Sequence, residues 1–73
     1  MWVRSKDKEL LIDANCFYIQ NSYDGKRYHI MSAIDGNETF IVGTYETKEE
    51  ADEQFNKIDS ALQSRGKSIF QIK

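Results

Sequence analysis

Only one stretch of this 73-residue chain has helical period, so one helix must roof whatever the rest builds. Thr47-Lys48-Glu49-Glu50 fits a capping box. The threonine hydroxyl accepts from the backbone N–H of Glu50, and the Glu50 carboxylate reaches back to the N–H of Thr47. Ala51, Phe55, Ile58 and Leu62 follow at spacings that stack them on one helical face. Gly66 supplies a left-handed stop. Glu49, Glu50, Asp52 and Glu53 sit near the positive end of the helix dipole, with Arg65 and Lys67 near the negative end. A helix from Thr47 to Gly66 is therefore predicted.

The residues before it read as strands. Met1 to Ser5 is bulky and β-prone, and Lys6 to Glu9 is a charged connection. Leu10 to Gln20 is extended but alternates imperfectly. Ile12, Ala14, Cys16 and Tyr18 share one parity, with Leu11, Phe17 and Ile19 on the other. Asp13 and Asn15 interrupt the second set, which predicts a bend, a bulge or two short strands. Asp24-Gly25 signals a two-residue hairpin turn. Arg27 to Asp35 runs back, with Tyr28, Ile30, Ser32 and Ile34 opposed to His29, Met31 and Ala33. Asp35-Gly36-Asn37 is the next turn. In Thr39 to Glu46, Phe40, Val42 and Thr44 oppose Ile41, Gly43 and Tyr45, and Gly43 marks a bulge or a close approach of the helix. Ser68 to Ile72 offers a last short strand.

Residues 1–73 thus form one small α+β domain. The expected architecture is an antiparallel, curled sheet of four to five strands, ordered β-β-β-β-α with a C-terminal strand, covered on one face by a single helix. A helix about 10 Å wide shields roughly two strands spaced about 4.8 Å apart. Yet the strands at 27–35 and 39–46 carry apolar residues on both faces. One helix cannot cover both faces. The excess must curl inward or meet another chain.

Size sharpens that expectation. A single core this small supplies at best about 3–5 kcal/mol, and chains of this length commonly add disulfides, a metal or a second subunit. One cysteine, Cys16, rules out an intrachain disulfide and a multi-cysteine zinc site, so self-association is expected. The net charge of −2 gives no basic surface for nucleic acid. No signal-peptide pattern follows Met1, and no apolar run approaches spanning length. A cytoplasmic setting is expected.

Catalytic signals are missing. His29 has no nucleophile-and-acid pattern around it and reads as a surface or half-buried strand residue. Cys16 reads as a small buried hydrophobe. Asp35-Gly36-Asn37-Glu38 lacks the alternating acids and distal glutamate of a calcium loop, and the four glycines form no phosphate cradle. No cofactor, metal or enzymatic activity is expected. Trp2, Phe17, Tyr18, Tyr23, Tyr28, Phe40, Tyr45, Phe55 and Phe70 include too few interleaved basic residues for a base-stacking platform. Most are needed as core, while tyrosines also suit a half-wet interface. Glu49, Glu50 and Glu53 belong to an acidic cluster that either starts the helix or mimics phosphates toward a basic partner.

The opening Met-Trp-Val-Arg-Ser-Lys-Asp, the strand from Leu10 to Ile19 and the helix entry Gly43-Thr44-Tyr45-Glu46-Thr47-Lys48-Glu49-Glu50-Ala51 resemble a group of small proteins of Gram-positive bacteria and their phages. Members typically begin Met-Trp-(Ile/Val)-Arg-Ser-Gln-Asp, and Lys6 stands here where glutamine is usual. The resemblance implies a bacterial or phage origin, lends no catalytic residue, and singles out Trp2, Arg4, Ser5 and Asp7. Arg4 and Asp7 are expected either to bond across the first turn or to bind a partner.

These readings make the chain a non-enzymatic accessory protein that acts by protein–protein contact, as a homodimer through an uncovered sheet face or an edge strand. Two alternatives stand beside it. One is a small-ligand or nucleotide binder, with Trp2, Arg4 and neighbouring tyrosines lining a cleft at the sheet edge; Asp7, Tyr28 and Tyr45 are further candidates for binding a ligand or partner. The other is an acidic phage-type inhibitor of a nucleic-acid enzyme, acting through Glu49, Glu50 and Glu53.

Overall fold

The computed structural model describes residues 1–34, 38–64 and 69–73. The order is β1 (Trp2–Arg4), β2 (Leu11–Asp13), β3 (Cys16–Asn21), β4 (Tyr28–Ile34), β5 (Glu38–Tyr45), α1 (Lys48–Ser64) and β6 (Phe70–Gln71). The fold is α+β, with one helix packed on the strands, as predicted. The strands, however, form two three-stranded sheets, ordered β2-β1-β6 and β3-β4-β5, in place of one curled sheet. The predicted turn at Asp35-Gly36-Asn37, the Gly66 stop, and the Arg65 and Lys67 charges lie outside the described residues.

The split falls where alternation failed. Ala14 and Asn15 form a corner between β2 and β3. The positively charged amino group of Met1 donates to Asp13 Oδ1 at 2.9 Å and to Asn15 Oδ1 at 3.0 Å. The two residues that interrupt the apolar pattern therefore hold the amino terminus against the corner. The corner also exchanges faces. Ile12 and Ala14 are buried, but Cys16 and Tyr18, of the same parity, point outward while Phe17 and Ile19 turn in. The expectation that Cys16 is buried is thereby corrected: its thiol is exposed.

A second difference lies in direction. β1 pairs antiparallel with β2 but parallel with β6, in register Val3 with Phe70 and Arg4 with Gln71. The Gln71 carboxamide donates to the Ser5 carbonyl at 2.9 Å, fixing the returning chain to the first strand.

The helical expectation holds. Ala51 and Ile58 are buried, with Phe55 and Leu62 half-buried beside them. Gln54, which the apolar spacing passes over, is buried too. The Glu50 N–H donates to Thr47 Oγ1 at 3.2 Å, while Thr47 Oγ1 donates to Glu50 Oε1 at 3.0 Å. The carboxylate thus receives the threonine hydroxyl, and not the backbone N–H that a reciprocal capping box would use. Val3, Ile12, Ala14, Ile30, Val42, Tyr45, Ala51, Ile58 and Ile72 form one core shared by both sheets and the helix.

Gly43 explains the geometry of β5. Ile30 stands opposite Gly43 but Met31 stands opposite Ile41, so Val42 is an extra residue, a bulge. The bulge reverses parity. Strict alternation groups Tyr45 with Ile41, yet Tyr45 is buried in the core while Ile41 is exposed. A Cβ on Gly43 would stand 2.7 Å from Tyr45 Oη and 3.0 Å from Ile72 Cγ2. The close approach predicted for Gly43 therefore comes from Tyr45 and Ile72, not from the helix.

Candidate interaction surface

The outer face of the β3-β4-β5 sheet follows from its register. Reading across the strands, one row is Cys16, Ala33 and Thr39, the next is Tyr18, Met31 and Ile41, and the third is Gln20, His29 and Thr44. The opposite face carries Phe17, Ile19, Tyr28, Ile30, Phe40, Val42 and Tyr45, which pack in or against the shared core. Cys16, Tyr18, Met31, Ala33 and Ile41 take no part in that core. Tyr18 is 36% exposed and Ile41 50%, while Met31 between them is only 8% exposed. This middle row is apolar from one edge of the sheet to the other. His29 is half-buried, with Nδ1 2.9 Å from Thr44 Oγ1, and that contact orients its ring along the third row.

Ile41 also borders an open cleft of about 420 Å³ that it shares with Val42, Gly43, Thr44, Lys6 and Asp7. The cleft exists because the β1–β2 turn docks on β5. The Lys6 N–H donates to the Val42 carbonyl at 2.7 Å, Lys6 Nζ donates to the Thr44 carbonyl at 3.0 Å, and the ammonium lies 4.4 Å from the Tyr45 ring centroid. One bulge carbonyl, one strand carbonyl and one ring thus hold this lysine along the β5 edge.

The residues singled out from the sequence divide among separate places. Trp2 and Arg4 share a face of the small sheet with Leu11 and Asp13, and both Trp2 and Leu11 are exposed. Tyr28 and Tyr45 stand opposite one another on the inner face of the larger sheet, Tyr28 half-buried and Tyr45 buried. These four residues do not line one cleft, because they belong to different sheets and different faces. Asp7 accepts from Ser5 Oγ and from the Glu9 N–H, at 2.5 and 2.9 Å. It shapes its own turn and does not bond Arg4. Glu49, Glu50 and Glu53 are exposed along the start of α1. Glu50 is held by Thr47, and Lys57 stands 4.0 Å from Glu53, so basic groups interleave with the acids.

The Tyr45 hydroxyl is buried without a hydrogen-bond partner among the described residues. Burial, reinforced by the nearby Glu50 carboxylate, pushes its pKa up to about 12. Among the described residues, no group of three or more histidine, cysteine, aspartate or glutamate side chains is placed to hold a metal ion. No helix among them is long and apolar enough to cross a membrane.

No family model, curated protein or solved structure matches this chain. Among the described residues, the apolar side chains of the outer face of the larger sheet take no part in the shared core. Sequence pattern did flag an apolar excess on both faces of these strands. It missed the identity of the exposed row, because the corner at Ala14 and the bulge at Val42 each change which parity faces out.

Proposed function

We propose that this chain is a non-enzymatic accessory protein that acts by protein–protein contact, as a homodimer whose outer sheet face receives a protein partner. One observation carries the reading: an apolar row on the outer face runs from the exposed Tyr18 across the buried Met31 to the exposed Ile41, and it stays outside the shared core. Apolar side chains aligned on one exposed face favour burial against another apolar surface, whereas scattered ones do not. Tyrosine suits such a surface, since its ring packs while its hydroxyl stays wet. A cytoplasmic, bacterial or phage setting accompanies this reading.

Ile41→Glu tests it, because the side chain is half exposed and its loss leaves the core intact. Immobilised wild-type protein and the Leu11→Glu variant, altered on the other sheet, should retain the same bound partner, with Ile41→Glu losing it at unchanged circular dichroism. Equal retention by all three would defeat the assignment to this face.

A further inference from the structure

The two edges of the larger sheet are treated differently. Lys6 occupies the β5 edge, with its N–H on the Val42 carbonyl and its ammonium on the Thr44 carbonyl. Among the described residues, the β3 edge carries no such device. The Ser22 N–H donates to the Arg27 carbonyl at 2.9 Å, which sets the phase of the ladder. Stepping back by two, Gln20, Tyr18 and Cys16 exchange hydrogen bonds with β4, and the N–H and C=O groups of Phe17, Ile19 and Asn21 point away from it. Among the described residues, no strand or loop pairs with those groups. From Ala14 to Ser22 there is also no charged residue and no proline, the usual protections of an open edge.

We infer that the β3 edge pairs antiparallel with the β3 edge of a second copy, about a two-fold axis through Tyr18, joining two sheets into one of six strands. The occupant is a second copy because the strand complements itself. With the axis at Tyr18, Phe17 stands opposite Ile19 of the second copy, Cys16 opposite Gln20, Asn15 opposite Asn21, and the two Tyr18 rings meet. No charge faces a like charge at any of these positions, and apolar residues meet apolar ones on both faces. A shift of the axis to Ile19 instead sets Phe17 against Asn21 and Tyr18 against Gln20, which wastes both rings on amides. A two-fold axis perpendicular to the sheet keeps both outer faces on the same side, so the two Tyr18-Met31-Ile41 rows become one platform. The inference rests on the homodimer proposed above and specifies how it forms.

A disulfide reports the register. Residues opposite one another at non-hydrogen-bonded positions have Cα atoms roughly 4.5 Å apart, within disulfide reach. Cys16 and Gln20 of the second copy form such a pair, whereas the two Cys16 residues stand about 13 Å apart at about 3.3 Å per residue. Both positions are exposed, so Gln20→Cys leaves the core untouched. Sedimentation velocity at 100 µM should give a dimer for the wild type. Mild oxidation should then convert most of Gln20→Cys, but neither wild type nor Ser22→Cys, into a dithiothreitol-sensitive covalent dimer. A dimeric mass without Gln20→Cys cross-linking overturns the edge pairing and leaves the homodimer standing. Linkage of Ser22→Cys in its place overturns the Tyr18-centred register. A monomeric wild type overturns both the pairing and the homodimer.

Discussion

Lys8 and Gly25 hold the same position in two matching loops, with φ of 67° and 73°. The loops read Ser5-Lys6-Asp7-Lys8-Glu9-Leu10 and Ser22-Tyr23-Asp24-Gly25-Lys26-Arg27. In each, the serine hydroxyl donates to the aspartate two residues on and accepts the N–H five residues on. The aspartate accepts the N–H two residues beyond itself. The serine N–H donates to the carbonyl of the sixth residue, and the serine carbonyl accepts from the fourth. The Asp24-Gly25 hairpin is accordingly a four-residue loop closed by a Ser22–Arg27 bond, not a two-residue turn. One local design makes both hairpins.

The left-handed region costs a residue with a Cβ roughly 1–2 kcal/mol and glycine almost nothing. Lys8→Gly should therefore raise unfolding free energy by about 1 kcal/mol, and Gly25→Ala should lower it by a similar amount. Urea melts of the two variants and the wild type check both signs.

Ser5 and then Glu9 hold the Asp7 carboxyl below its ordinary range through hydrogen bonds, and Ser22 and then Lys26 do the same for Asp24. A depressed folded pKa gives stability that is present above the ordinary carboxylate value and lost as pH falls through the folded one. Melting temperature should fall more steeply below pH 4 in the wild type than in Asp7→Asn/Asp24→Asn. Parallel acid limbs for the two proteins would contradict this.

Among the described residues, the buried hydroxyls of Ser32 and Tyr45 have no hydrogen-bond partner. Ser32 is fully buried, with Phe17 and Phe40 opposite it on the flanking strands. An orphaned buried hydroxyl costs about 1–3 kcal/mol of desolvation, so Ser32→Ala and Tyr45→Phe should each be neutral or stabilising by about 1 kcal/mol. Tyr45 adds a pH signature. Its raised pKa favours the neutral phenol in the folded state, so its contribution is intact below pH 10 and disappears as pH rises toward about 12. Thermal melts of Tyr45→Phe should lose less stability than wild type over that alkaline interval.

Gly43→Ala places a methyl against the Tyr45 ring, with Cε2 at 3.0 Å, and against Ile72. Both neighbours are buried, so neither can withdraw freely. Overpacking of this kind costs about 1–3 kcal/mol. Chemical denaturation should show that loss in Gly43→Ala.

Short-range chemistry was readable along the chain. Thr47 and Glu50 start the helix, Ala51, Phe55, Ile58 and Leu62 mark its buried face, and Asp13 with Asn15 announced the interruption between β2 and β3, because caps, helical period and broken alternation act within a few residues. The surplus of apolar strand surface over one helix was legible for the same reason. Which residues form that surplus was not. The corner at Ala14 turns Cys16 and Tyr18 outward, and the Val42 bulge turns Tyr45 inward while leaving Ile41 exposed. Both events reset a period-two pattern, and their placement depends on contacts with distant parts of the chain: the amino terminus at Asp13 and Asn15, Lys6 at Val42, Ile72 beside Gly43. Side-chain alternation is local, but the face it points to is set by whatever packs against the strand, and only the assembled chain supplies that.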